Sequence, residues 1–188
     1  YGGIKGSISK NVSYNTRSAY NRIQDMHFFV NDNNDFFKKG FNTIYEDVNL
    51  WNVHGELQFQ SEEKIKVIAK GDYNMYDLKN ELKPWHKPLW QTTLTVNYNL
   101  KNKIIATVDI FVFGKRSTRT LQTDSLVSVF VPTELKAVID ANIGLEYRYS
   151  KKLSAFLNFN NLGFKRYMIW NNYPTQKFNF LAGVTMVF

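Results

Sequence analysis

Lys177-Phe178-Asn179-Phe180-Leu181-Ala182-Gly183-Val184-Thr185-Met186-Val187-Phe188 is the stretch that decides the fold. Successive side chains of a β-strand point to opposite faces of the sheet. Phe178, Phe180, Ala182, Val184, Met186 and Phe188 therefore share one apolar, uncharged face. Lys177, Asn179, Leu181, Gly183, Thr185 and Val187 share a mixed one. A strand written this way is expected to close a sheet rather than to trail as a flexible tail.

The same alternation recurs at 4–9, 12–21, 51–60, 64–75, 93–100, 104–113, 139–149 and 153–160, which predicts nine strands and no competing helical period. One face of every strand is free of charge, as in Trp51, Val53, Gly55, Leu57 and Phe59. The other carries the charges, as in Lys5, Arg17, Glu56, Lys66, Lys70, Asp72, Asp109, Asp140, Glu146 and Arg148. A Lys or Arg on the lipid face of a membrane barrel costs ~2–4 kcal/mol at mid-membrane. Excluding charge from one face of nine strands is what lipid demands. A soluble β-sandwich would use the same alternation in the opposite sense, apolar in and polar out.

The connections separate these two architectures. Short polar turns are expected at 9–11, 61–63, 101–102 and 150–151, and longer links at 22–42, 77–87, 116–135 and 161–175. Alternation of short turns and long loops is the habit of outer-membrane barrels, whose strands need ~9–11 residues to span. Aromatics make up 16% of the chain, and they sort by height. Tyr14, Phe59, Tyr98, Tyr147, Tyr149 and Phe188 fall toward the short turns. Trp51, Tyr73, Trp85, Trp90, Tyr167, Trp170 and Tyr173 fall toward the loops. Two belts of this kind match the two interfaces of a membrane. The expected fold is thus all-β: an antiparallel up-and-down transmembrane β-barrel in the bacterial outer membrane. The soluble aromatic-rich sandwich, a binding module, is the alternative.

Nine is an odd number, whereas closed bacterial barrels have an even number of strands. Tyr1-Gly2-Gly3-Ile4 also reads as strand from its first residues. We therefore expect residues 1–188 to be the C-terminal part of one larger barrel domain, with earlier strands upstream.

Leu145-Glu146-Tyr147-Arg148-Tyr149, Lys152-Leu153-Ser154-Ala155-Phe156-Leu157-Asn158-Phe159-Asn160-Asn161-Leu162, Tyr173-Pro174 and the final Phe180-Leu181-Ala182-Gly183-Val184 with Phe188 resemble the C-terminal end of TonB-dependent receptors, most closely their Bacteroidota-type forms. The likeness is specific over 137–188 and general over the rest. It implies a 22-stranded barrel with an N-terminal plug, driven by the TonB complex, with the plug and the TonB box lying upstream of Tyr1. It also implies an assembly signal in the last strand, carried by Phe180, Val184, Met186 and Phe188.

Enzymatic motifs are missing. The chain has no cysteine, no glycine-rich phosphate loop and no nucleophile elbow. His27, His54 and His86 lack metal-ligand spacing, and Asp32-Asn33-Asn34-Asp35 lacks the glycine of a calcium loop. Neither an enzyme, a metal site nor a cofactor is expected. The net charge of +8 invites a nucleic-acid partner, but the placement of the cations argues against one. Lys10, Lys64, Lys101, Lys103, Lys151 and Lys152 gather at the short turns. Lys115, Arg116, Arg119, Lys165 and Arg166 stand at the loop end, within reach of lipopolysaccharide phosphates or an anionic ligand.

The resulting expectation is the barrel segment of a transporter for a scarce ligand such as a siderophore, cofactor, glycan or peptide. The loops would capture the ligand through Trp85, Trp90, Arg116, Arg119, Trp170 and Tyr173. The lumen would be lined by Glu56, Lys66, Lys70, Asp72, Asp109, Asp140, Glu146 and Arg148, with Glu56 and Lys66 forming a cross-strand pair. Expected partners are outer-membrane lipid and lipopolysaccharide, the rest of the barrel and its plug, the TonB complex and a surface lipoprotein. A plug-less pore or a scaffold subunit is the other membrane reading.

Overall fold

A computed structural model describes residues 1–32, 40–124 and 127–187. Nine strands form one antiparallel sheet: β1 (Gly2–Ser9), β2 (Val12–Asn31), β3 (Phe41–Ser61), β4 (Ile65–Leu78), β5 (Trp90–Leu100), β6 (Ile104–Phe113), β9 (Val138–Arg148), β10 (Leu153–Asn160) and β13 (Asn179–Met186). Each strand pairs with the next along the chain. The excursions are two hairpins, β7 (Arg116–Asp124) with β8 (Val127–Leu135), and β11 (Met168–Trp170) with β12 (Tyr173–Pro174). Among the described residues no helix is long and apolar enough to cross a membrane.

The register joins the apolar faces of all nine strands. One row runs Val12, Phe59, Val67, Val96, Val108, Ile143, Phe159 and Phe180, each opposite the next. Ile4, Leu57, Tyr98, Leu145, Val184 and Met186 are exposed on this face, and no described element covers it. The sandwich alternative needs a second sheet there. Trp51 stands opposite Tyr20 and Tyr73 opposite Trp90, which forms an aromatic row at the loop end; Phe59, Tyr98 and Tyr147 do the same at the other end. The Trp51 indole keeps its N–H satisfied by donating to Ser18 Oγ.

The short turns use backbone shapes that follow the strand twist. Lys103 N–H donates to the Leu100 carbonyl across Lys101 and Asn102, whose φ angles are 53° and 55°. This is the type I′ sense favoured in hairpins. Glu62, with φ 50°, opens the β3–β4 turn. That turn is centred on Glu63, so Glu56 faces Lys70 and Lys66 faces Gln60. The expected Glu56–Lys66 pair is therefore not formed: a turn centred on Glu63 places Lys70, not Lys66, opposite Glu56.

The link expected at 22–42 is largely strand. β2 and β3 have 20 and 21 residues, about twice the length of β5 and β6. Ten or so residues suffice to span a membrane, so the upper half of this hairpin extends beyond the length that a span needs. Its polarity is inverted. Below, Tyr14 and Tyr20 of β2 lie on the uncovered apolar face; above, Phe28 and Val30 are buried with Val48 of β3. A β-bulge makes the change. Ile23 faces Val48 and Met26 faces Glu46, so Gln24 and Asp25 oppose Asp47 alone, and Asp25 takes φ 52°. One extra residue moves every even-numbered side chain above it to the other side of the sheet. In β3 the inversion is written in the sequence, where inward Leu50 adjoins outward Trp51.

The uncovered face predicts an asymmetric response to charge. Val96→Lys is expected to destabilise the membrane-inserted protein by about 2–4 kcal/mol. Gln58→Lys on the polar face should change stability by about 0.5 kcal/mol or less. Urea unfolding in lipid vesicles compares the two.

Candidate functional site: a packed cap above a polar wall

The polar face of the sheet is a ladder of paired side chains. Lys70 Nζ lies 3.3 Å from Glu56 Oε2, and His54 Nδ1 lies 2.8 Å from Asp72 Oδ1. Asn52 donates to Asn74, Thr95 to Asp109 at 2.6 Å, and Thr107 to Asn97. Arg148 Nε donates to Glu146 Oε1 at 2.8 Å. Lys66 lies on the same face beside Gln60 and Asn97 and makes no ion pair among the described residues. Asp140, also on this face, is buried under the 161–178 link, where Tyr167 Oη donates to its Oδ2 at 3.1 Å. Burial, reinforced by the Asp140 carboxylate, pushes the Tyr167 phenol up to about 12. The eight residues expected to line a lumen thus share one face, and seven of them hold hydrogen-bond or ion-pair partners.

Above this wall the long links form a cap with its own core. Phe28, Val30, Val48 and Trp85 are its centre, with Met26, Ile44, Leu50, Tyr76 and Leu78 packed around them. The link at 79–89 is held down by Glu46, which is 3% exposed. Its Oε1 accepts from the backbone N–H groups of Lys79 and Asn80, both at 2.8 Å, and its Oε2 from that of Glu81 at 3.2 Å. Glu81 in turn accepts from Trp85 Nε1 at 2.8 Å and faces Arg119 Nη1 at 3.2 Å.

His86 is the junction of three elements. Its backbone N–H donates to the Ser117 carbonyl of β7. Its Nδ1 lies 2.9 Å from the Phe29 carbonyl of β2, and its Nε2 accepts from Asn171 N–H between β11 and β12. The ring must therefore be neutral, with the proton on Nδ1. Its backbone sits at φ 60°, a left-handed conformation. Around it Phe29, Phe41, Trp170 and Tyr173 form a group of rings with centroids 5.1–5.8 Å apart, and Trp170 and Tyr173 remain partly exposed.

The six residues singled out for ligand capture separate into five settings. Trp170 and Tyr173 come together on the ring cluster. Trp85 is 2% exposed and belongs to the cap core. Trp90 stands on the apolar face over Gly114, where a Cβ would lie 2.6 Å from its Nε1. Arg119 is paired with Glu81 and stacks on Phe130 at 4.6 Å. Arg116 is buried over the Phe113 ring; it donates to the carbonyls of Ile169 at 2.8 Å and Lys136 at 3.3 Å. Tyr167, Trp85, Trp170 and Tyr173 thus lie in the cap rather than in the upper aromatic belt. In β13, Phe180, Val184 and Met186 lie exposed on the apolar face opposite Phe159, Ala155 and Leu153, and Phe188 falls outside the described residues, as do Asn33, Asn34 and Asp35. No group of three or more His, Asp or Glu residues placed to hold a metal occurs among the described residues.

Glu46 and His86 are the site residues that the pattern of alternation did not single out. A signal for Glu46 exists: it is the lone carboxylate in the inward run Ile44, Glu46, Val48, Leu50. His86 has none, because its partners come from residues 29, 117 and 171.

The fold of this chain is that of the barrel of outer-membrane receptors. It superposes on the pyoverdine outer-membrane receptor FpvA of Pseudomonas aeruginosa PAO1, solved bound to pyoverdine, with a TM-score of 0.72, 15% identity, 99% of this chain and 29% of that one. The ferric-catecholate import receptor Fiu of K12 E. coli gives 0.68, 16% identity, 98% and 26%. The copper transporter OprC gives 0.71, 12% identity, 99% and 30%. These neighbours are TonB-dependent outer-membrane receptors and transporters rather than enzymes. The chain spans less than a third of the length of each. No family model matches the sequence, and no curated protein matches it in sequence.

Two predictions test the cap. Burial holds the His86 imidazole below its ordinary 6.5; the Phe29 bond partly opposes this and the Arg116 charge adds to it. The unfolded cap therefore binds a proton more readily than the folded one. Cap stability should be complete above about pH 6.5 and decline as the pH falls through that value toward the lower folded one. Denaturant midpoints followed by tryptophan fluorescence at about pH 7 and about pH 5 should show it, and His86→Phe should abolish the difference. Glu46→Ala leaves the N–H groups of Asn80 and Glu81 without their carboxylate and Lys79 N–H with only the 3.3 Å bond to the Asp47 carbonyl, and it should destabilise the cap by about 2–4 kcal/mol and open 79–89 to protease.

Proposed function

We propose that this chain is the C-terminal barrel wall of a TonB-dependent outer-membrane transporter of the Bacteroidota type. The observation that carries the reading is the uncovered apolar face, continuous in register over nine strands and bounded by aromatic rows, beneath a cap whose polarity is inverted. The superposition on receptor barrels over nearly the whole chain supports it.

In this reading the cap faces outward and the paired polar face lines the lumen. Scarce ligands enter at the cap, where Trp170 and Tyr173 present ring faces above the buried His86. The ligand class is that of the neighbours, a siderophore or a metal. Passage follows rearrangement of a plug supplied by the same protein upstream and coupled to the TonB complex. The wall residues Glu56, Lys70, Asp72, Asp109, Glu146 and Arg148 are already paired, so they offer hydrogen-bonding positions to plug or ligand without bare charge. Phe180, Val184 and Met186 face lipid in this reading, as the final-strand assembly signal requires, and a surface lipoprotein would dock on the cap.

Planar-bilayer recordings of the intact protein test the proposal. A plugged transporter is silent until the plug is unfolded or removed. Steady ion conductance by the intact protein would instead establish the plug-less pore.

A further inference from the structure

We propose that the groove between the β7–β8 hairpin, the start of β9 and the link that follows β10 binds the phosphate of an outer-leaflet lipid, with the acyl chains lying along the apolar face. The inference rests on the membrane reading above and assigns a ligand class to a site outside the transport path.

The groove encloses about 560 Å³ and brings Lys136, Lys165 and Arg166 together above Arg116. The first three are exposed and make no ion pair among the described residues. The groove's own carboxylate, Glu134, does not neutralise them, because Lys115 Nζ holds it at 3.0 Å. Arg116 is 4% exposed, and its Nε has no hydrogen-bond partner. A buried guanidinium N–H left over after two carbonyl bonds is an unmet demand for an acceptor. A phosphate meets it with the forked geometry that arginine favours.

The apolar wall selects the kind of phosphate. Ile139 lines the groove and is 65% exposed at the top of β9, on the apolar face opposite Val112. Met168 adds a second exposed apolar side chain. A small soluble anion gains nothing from these two residues. An acylated phosphate places its head on the cations and its chains beside Ile139, at the height where the apolar face ends. Cations clustered at this height draw anionic headgroups out of the bilayer surface.

The test uses the intact protein, purified in detergent, with lipid A and its dephosphorylated form as probes and native mass spectrometry as readout. Wild type should retain lipid A and lose the dephosphorylated form. K136Q/K165Q/R166Q should weaken lipid A binding on the order of tenfold, while the heat-modifiable gel shift shows the barrel intact. Inorganic phosphate should fail to displace lipid A. Equal binding by the triple variant, equal retention of the dephosphorylated lipid, or full displacement by inorganic phosphate would each overturn the proposal; the last would assign the groove to a soluble anion. A protein that stays monodisperse without detergent would overturn the membrane reading itself, and it is scored separately.

Discussion

An apolar face on nine strands that no described element covers is the constraint from which the rest of this structure follows. Burial is the dominant favourable term in protein stability, and among the described residues no second layer provides it. In the membrane reading lipid provides it, and it meets a sheet whose backbone groups are already paired within the ladder. Hence the strictness of the register. Each outward residue lies opposite another outward residue from β1 to β13, and a one-residue slip of β1, β4 or β6 would carry Lys5, Lys66, Lys70, Asp72 or Asp109 into that face.

Within this constraint, the strands were legible because lipid enforces a local rule. Charge is barred from every second position, and nothing more than period two is needed to see it. The short turns were legible for a similar reason, since a polar pair between two alternating runs has few other readings. The upper hairpin was not. Met26, Phe28 and Val30 keep the even numbering of the uncharged series 12–20, but Arg22 and Gln24 interrupt it and across the bulge at Asp25 it points the other way, so the segment looked like loop. Trp85 was misplaced because a loop tryptophan and a core tryptophan look alike in one dimension. What buries it is the Glu46 carboxylate gathering three backbone donors of the same link.

The cap illustrates how irregular backbone is held still over a rigid sheet. Loops lack ladders, so their polar groups need individual partners. Glu46, Asn161 and His86 supply them. Asn161 donates both amide hydrogens, to the carbonyls of Lys165 and Gln176, and so ties the two ends of the last link together. His86 does the same between elements far apart in sequence. Each of these side chains replaces a stretch of secondary structure with a point attachment. That makes the cap firm in assembly and selective in what can loosen it, as protonation of one imidazole illustrates.

The bulge in β2 also sets a rule for how such a protein can change over time. The hairpin above it is in phase with its own core only because one residue was inserted at Asp25. Lengthening β2 by two residues above that point preserves which side chains face inward. Adding or deleting one would turn Met26, Phe28 and Val30 outward into water and bring His27 and Phe29 in. The outward part of the molecule is therefore free to grow and shrink in steps of two, and the membrane wall beneath never registers the difference.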